Sequence, residues 1–277
     1  MPQAKRFPLK INTLSKKDMH AVLMNFRGGK VVNEGLERAR KISKSHTSLT
    51  GVLVSVKDEL FKTFESDLER DYLIILDFDS MVSSFYDQPV KIPYQLPSGR
   101  VGHYTPDILV YYRDNPINKQ KTPPLLAEIK SLKDLRLNKD EYALKFAAAG
   151  KYAEQRGWKF QVLTEENIRT PYLFNAKFLR QYRLWEPPCN DSALLHEILN
   201  EEGIMTVQNL LDRAAEKKSS DPHMFEPVPI TDLKAKAALL STIWYYVFQG
   251  VFETDLQKKI SMSAPLWHYS REIPEIT

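Results

Sequence analysis

Residues 105–112 read TPDILVYY and residues 125–130 read LLAEIK. Both runs are rich in aliphatic, β-branched and aromatic residues, the composition of strands packed into a core. A polar, proline-containing stretch over 113–124 separates them as a loop. Each run is interrupted by a carboxylate. Asp107 follows Pro106 and precedes Ile108, Leu109 and Val110, and Glu128 sits among Leu125, Leu126 and Ile129. A carboxylate among core residues needs a partner or a metal, because an isolated buried charge is costly. Side chains alternate along a strand, so Leu126, Glu128 and Lys130 share one face while Ala127 and Ile129 take the other. The expectation is that Asp107 lies inside its strand and that the two strands pair. Two carboxylates and an ammonium then converge.

The flanking sequence supplies the other elements. Phe61–Phe64 reads as a short strand. Ser66 opens S-x-x-E with Glu69, a capping-box signal for a helix running to about Asp77, with Leu68, Tyr72, Ile75 and Leu76 on one face. Strands are expected over Met81–Tyr86 and Val90–Leu96, with a turn at Pro97-Ser98-Gly99. A helix follows over 139–157, then a strand over Trp158–Leu163 and a helix over Asn175–Leu184. This order defines an α/β class, a mixed sheet flanked by helices. After the break at Glu186–Asn190 the chain turns helical. Helices are expected over Ala193–Asn200, over Met205–Ala215 (opened by Thr206) and over Ile230–Phe248. Lys217–Pro222 reads as a loop and Gly250–Ser263 as a hairpin. Three helices and a hairpin outline a winged-helix-like domain. The expected division is residues 1–170 and 171–277.

Composition bounds the function. The 277 residues are 43% hydrophobic and 27% charged, ordinary for a globular protein. No window reaches the roughly 18 apolar residues of a membrane span, and the N-terminal segment lacks the apolar stretch of a secretory signal. Cys189 is the single cysteine, which excludes an internal disulfide framework and a cysteine-rich zinc site. A cytoplasmic protein without membrane contact is the simplest expectation. The net charge of +4 is uneven: residues 1–56 hold eleven Lys/Arg against three acids, leaving about −4 for the remainder. Such a basic arm suits a phosphate-bearing partner; a solvated tail is the plainer alternative. Arg27-Gly28-Gly29-Lys30 adds a turn flanked by positive charge.

The spacing P-D-(x)20-E-x-K carries a specific chemistry. Two carboxylates with a carbonyl and waters form a hard oxygen site suited to Mg2+. Such an ion polarises a scissile phosphate and binds the attacking water. Lys130 could orient that water, help deprotonate it, or offset charge growing on the phosphate; protonated, it is no metal ligand. The pattern is short and degenerate, and a solvated Glu/Lys pair at a strand end would look the same. Glu69 upstream has its own plain role in the capping box. Together, however, the four residues follow the E…PD…ExK order of a nuclease core shared by many restriction enzymes.

The run FESDLERDYLIILDFDSMVSSFYDQPVKI (residues 64–92), then YTPDILVYY and LLAEIK, resembles the catalytic domain of TnsA-type transposon endonucleases over roughly residues 50–170. The resemblance implies a restriction-endonuclease-like fold with a C-terminal helical, winged-helix-like domain for partner or DNA contact. It places a metal-ligating glutamate on Glu69, the strand-opening aspartate on Asp107, and the Q/E-x-K pair on Glu128 and Lys130, where Glu stands at a position that is Gln in some members. The Ile129 carbonyl is a further expected ligand, and Gln88 of the DQP turn either faces the site or ends a turn. The implied activity is hydrolysis of double-stranded DNA at the 5′ ends of a bacterial transposon, dependent on Mg2+ with Mn2+ as its substitute. A DDE-class transposase subunit (TnsB) processes the 3′ ends, and an AAA+ regulator ATPase (TnsC) is the further partner. The alternatives are a stand-alone restriction or repair nuclease and a non-catalytic DNA-binding scaffold.

Several residues read as structural. His103 is expected as a polar strand-edge residue and Cys189 as a linker residue without a paired base. Trp244, Tyr245, Tyr246 and Phe248 are expected to pack the last helix, and Trp158, Tyr182 and Trp185 to make core or interdomain contacts. Lys217, Lys218, Lys234 and Lys236 are the basic candidates for DNA or partner contact in the C-terminal part.

Overall fold

The computed structural model describes residues 50–58, 60–114, 120–220 and 233–269. The basic arm up to residue 49, with Arg27–Lys30, lies outside them.

Two short strands, β1 (Gly51–Val54) and β2 (Phe61–Phe64), pair antiparallel and lead into helix α1 (Asp67–Phe78). The helix starts where the S-x-x-E signal placed it. Ser66 is extended, and its hydroxyl oxygen accepts the Glu69 N–H at 3.1 Å. A cap of this kind contributes about 1 kcal/mol. Strand β3 (Val82–Asp87) follows, then the hairpin β4 (Ile92–Gln95) and β5 (Val101–Tyr104), whose turn carries Gly99 at φ 79°. The hairpin's second arm was not expected from the sequence. Strands β6 (Ile108–Tyr112), β7 (Leu125–Ile129) and β8 (Lys159–Leu163) complete a four-stranded sheet in the order β3-β6-β7-β8. The first two pairings are antiparallel and β7–β8 is parallel, so the sheet is mixed.

Helices cover both faces. On one face, Ile108 and Val110 of β6 and Ala127 and Ile129 of β7 pack against Leu68, Tyr72 and Leu76 of α1 and against Leu173 and Ala176 further along the chain. On the other, Leu109 and Leu126 pack against Ile92, Tyr104, Ala149 and Ala153. The alternation expected for 125–130 is therefore the alternation found. Between β7 and β8 run a short helix α2 (Leu132–Leu137) and helix α3 (Lys139–Glu154), which ends three residues before the expected position. After β8 come α4 (Glu165–Ile168) and α5 (Pro171–Leu179), the latter prolonged by a 3-10 turn over Arg180–Tyr182. The sequence pattern predicts the start of this helix at Asn175. It begins at Pro171 because proline suits the first helical position and Thr170 stands extended before it. This mixed sheet with flanking helices fits a restriction-endonuclease-like fold.

A second core follows. Helices α6 (Cys189–Glu202), α7 (Val207–Ser220) and α8 (Leu233–Phe248) bury Leu195, Leu199, Leu210, Ala214, Leu239 and Ile243 together. Lys217–Ser220 belong to α7, where a loop was expected. Strands β9 (Met205–Thr206), β10 (Phe252–Glu253) and β11 (Pro265–His268) form a small sheet in the order β10-β11-β9. The expected hairpin over 250–263 is thus wider and recruits a strand from between two helices. Helix α5 serves both cores: Leu173 and Ala176 join the first and Leu179 the second. Trp244 is buried in the second core, with Tyr246 and Phe248 packed against it, and the Trp185 indole donates to Thr242 Oγ1 at 3.2 Å. Among the described residues no helix is long and apolar enough to cross a membrane.

Candidate functional site

Strand register brings the predicted residues together. Ile108 pairs with Ala127 and Leu109 with Leu126. The antiparallel ladder therefore sets Asp107 opposite Glu128. Asp107 stands just before β6, not inside it as expected. Pro106 has no N–H for a ladder, so pairing with β7 begins at Ile108. The carboxylate is thereby left at the sheet's mouth, and its Oδ2 accepts the Ile129 N–H at 2.7 Å. Glu128 is 2% exposed. Lys130 bridges both acids, its Nζ 2.7 Å from Glu128 Oε1 and 3.5 Å from Asp107 Oδ2, and it also donates to the Ile129 carbonyl at 3.1 Å.

Glu69 reaches the same place from α1. With Ser66, Leu68, Ile129, Lys130, Ser131 and Asp134 it lines a cleft of about 330 Å³. Its carboxylate also does what the capping box requires, accepting from the Glu65 N–H at 2.8 Å and the Ser66 hydroxyl at 2.9 Å. The capping expectation for Glu69 is met, and the same carboxylate lines the cleft beside Lys130.

The electrostatics follow from crowding three acids around one ammonium. Burial first, and then the Asp107 charge, push Glu69 up to about 7. The same two causes, opposed by Lys130 and the Tyr104 hydroxyl, push Glu128 up to about 7. Burial raises Asp107 as well, against the pull of Lys130 and the Ile129 N–H. Burial alone would discharge Lys130, but Asp107 and Glu128 outweigh it and hold the ammonium above the ordinary lysine range. Among the described residues no three His, Cys, Asp or Glu side chains are arranged as a metal cage, because the acids close on Lys130. The donor set is nonetheless all oxygen: three carboxylates with raised affinity for positive charge, and one carbonyl. That chemistry fits a hard divalent cation.

Two residues support the cluster without having stood out as a pair. Tyr104 ends β5, and its hydroxyl donates to Glu128 Oε2 at 2.6 Å. Nothing in the sequence marks it, since the short arm that carries it has no periodic signal. Gln88 both ends a turn and faces inward. Its φ is 48°, its N–H donates to the Asp107 carbonyl at 2.7 Å, and its Nε2 donates to Glu65 Oε1 at 3.2 Å. Its Oε1 is buried with no hydrogen-bond partner among the described residues. His103 is exposed on β5, paired opposite Pro93, and Cys189 is exposed at the start of α6. Of the C-terminal lysines, Lys217 pairs with Glu197 and Glu201, Lys218 with Asp191 and Lys236 with Asp212.

The mixed sheet presents two acids and a lysine from adjacent strands, the arrangement expected above for a nuclease core. Residues 79–165 match the family model of the TnsA-like endonuclease N-terminal domain. That segment is thus similar to a TnsA-like endonuclease domain, and the likeness supports a nuclease of the transposition type. Asp107, Glu128 and Lys130 lie inside the matched segment, and Glu69 lies before it. No curated protein matches the chain.

Proposed function

We propose that this chain is the DNA endonuclease subunit of a heteromeric transposase, hydrolysing phosphodiesters at the 5′ ends of a transposon with Mg2+. A DDE-class transposase partner processes the 3′ ends, and an AAA+ regulator gates the assembly. The observation that carries the proposal is Asp107 facing Glu128 across β6 and β7, with Lys130 bridging them inside the matched segment.

Asp107, Glu128, Glu69 and the Ile129 carbonyl would hold the cation. When bound, the ion supplies Lewis-acid polarisation of the phosphate and a more acidic water. Lys130 acts as an ammonium, since its neighbours hold its proton. It therefore donates hydrogen bonds and offsets phosphate charge, and proton abstraction from water is not its role in this state. Tyr104 fixes one oxygen of Glu128 while Lys130 holds the other, so the carboxylate cannot rotate freely. The Ile129 N–H orients Asp107.

The chain is read as two units, 1–170 and 171–277, joined through α5. The order α6, β9, α7, α8, β10, β11 and the sheet β10-β11-β9 support a winged-helix-like second unit that contacts partner or DNA. Its lysines spend much of their charge on neighbouring acids, which favours partner contact over a broad DNA surface.

Cutting of labelled transposon-end DNA with each partner omitted in turn tests this assignment. The transposase subunit cuts only in the full assembly. A chain that cuts purified DNA alone is an independent nuclease, and one that never cuts while the assembly still forms is a scaffold.

A further inference from the structure

Asp71 lies one helical turn from Asp67 on α1 and is only 3% exposed, yet three cations address it. Lys177 Nζ lies 2.6 Å from Oδ1, Arg169 Nε 3.3 Å from Oδ2, and Arg70 3.4 Å from Oδ1 while also pairing with Asp67 at 3.0 Å. A fourth cation, Lys259, comes from the C-terminal part. Its chain is held by Asn175 of α5, which is fully buried and donates to the Leu256 and Lys258 carbonyls at 2.9 and 2.8 Å while accepting the Ile260 N–H at 3.0 Å. Those bonds bracket Lys259 and set its Nζ 5.0 Å from the centre of the half-exposed Phe174 ring.

Of these groups Arg169, Phe174, Lys177 and Lys259 line one cleft of about 340 Å³, together with Thr170, Pro171 and Leu173. Three cations, Arg169, Lys177 and Lys259, line the cleft and no carboxylate does, while Asp71 behind it pairs with Arg169 and Lys177 and Glu165 feels the Arg169 charge. Arg169 spends its Nε on Asp71, and its terminal nitrogens have no hydrogen bond among the described residues. The cleft also receives the start of α5, where Pro171 has no N–H and the Thr170 side chain caps neither the Tyr172 nor the Leu173 N–H. Buried Asp71 and Asn175 thus fix cations around a concave surface, and an aromatic face stands beside them. Cations held in advance lose little entropy on meeting a phosphate, and a ring can pack against a sugar or base.

We propose that the cleft formed by Arg169, Thr170, Phe174, Lys177 and Lys259 binds the phosphodiester backbone of DNA, as a contact separate from the cleft that holds Glu69. This rests on the DNA-substrate reading above. α1 links the two places, carrying Glu69 to one cleft and, behind the other, Asp71, which pairs with Lys177 and Arg169.

The test is fluorescence anisotropy of labelled duplex and single-stranded DNA with the full chain, over a series of salt concentrations without divalent metal. Arg169→Gln with Lys259→Gln leaves Lys177 to neutralise Asp71, and thermal melting checks that the fold survives. Losing two phosphate contacts lowers the slope of log affinity against log salt by about 1.8 on duplex and about 1.4 on single strands. A control that also removes two charges, Lys91→Gln with Lys121→Gln, keeps the wild-type slope. An unchanged slope in the cleft variant, an equal fall in the control, no DNA binding by the wild type, or binding of polyglutamate in place of DNA overturns the proposal. Cutting is read separately, with Mg2+ and the full assembly, for wild type and the cleft variant. If the chain cuts but the cleft variant keeps its slope, the cleft alone fails. If the slope falls and nothing ever cuts, the nuclease assignment alone fails.

Discussion

The Tyr104 hydroxyl donates to Glu128 Oε2 at 2.6 Å, so a residue of the β4–β5 hairpin holds a carboxylate of the central strand. Burial and the Glu128 charge both keep that hydroxyl protonated and able to donate. Tyr104→Phe removes the bond and keeps the ring packed against its core. The expected outcome is a loss of roughly 10–100-fold in apparent Mg2+ affinity, the usual cost of deleting an outer-shell partner, with a stability change of about 1–2 kcal/mol. Metal titration of cleavage and a denaturant melt measure the two. Unchanged metal dependence would remove Tyr104 from the site.

Acidity sets a second expectation. Glu69 and Glu128 both titrate near 7 in the folded chain, against an ordinary value of 4.5. The folded state therefore holds protons that the unfolded state has released between those values. Stability contributed by these groups is fully present below about 4.5 and is lost as pH rises towards 7. A metal-free chain melts at lower temperature at pH 8 than this balance allows at pH 5.5, and added Mg2+ raises the melting point more at pH 8, where no protons compete. Equal metal stabilisation at both values would argue against these acids as ligands.

Glu69→Gln separates stability from function. It removes a carboxylate that burial and the Asp107 charge disfavour, while the amide oxygen can still accept from the Glu65 N–H. The variant is expected to melt above wild type at pH 8 and to lose cutting, a trade of stability against activity. Calorimetry and the cleavage assay on the same preparation decide it, and a variant that is less stable at pH 8 would show that capping, not charge, dominates at this position.

Lys130→Met works in the opposite direction. Asp107 and Glu128 lose their shared counter-charge, and breaking a buried pair in this way costs roughly 3 kcal/mol. The cost shrinks at low pH, where the acids take up protons instead. Chemical denaturation at pH 5 and pH 8 would show the larger deficit at pH 8, and a deficit independent of pH would point to lost packing of the lysine stem.

The central strands and their acids were legible because alternation is a local rule. Leu126 and Glu128 against Ala127 and Ile129 follow from a period of two, and Ser66 with Glu69 follows from cap chemistry. What failed was longer in range or finer in detail. Pro106 keeps Asp107 out of its ladder, a shift of one residue. Thr170-Pro171 was a helix start that the apolar pattern from Asn175 obscured. The β5 arm, Val101–Tyr104, is short and half exposed, so Tyr104 carried no periodic signal, and its link to Glu128 spans 24 residues. Asp71 and Lys177 are 106 residues apart. No spacing rule joins such pairs; only the docking of α5 on α1 does.

The most direct measurement is 5′-end cleavage of transposon-end DNA with the partner transposase and regulator present, with and without Mg2+, by wild type and by Asp107→Ala. Metal-dependent cutting by wild type, lost in a variant that still folds and assembles, is the predicted result. Full cutting by Asp107→Ala would contradict the assignment of the site.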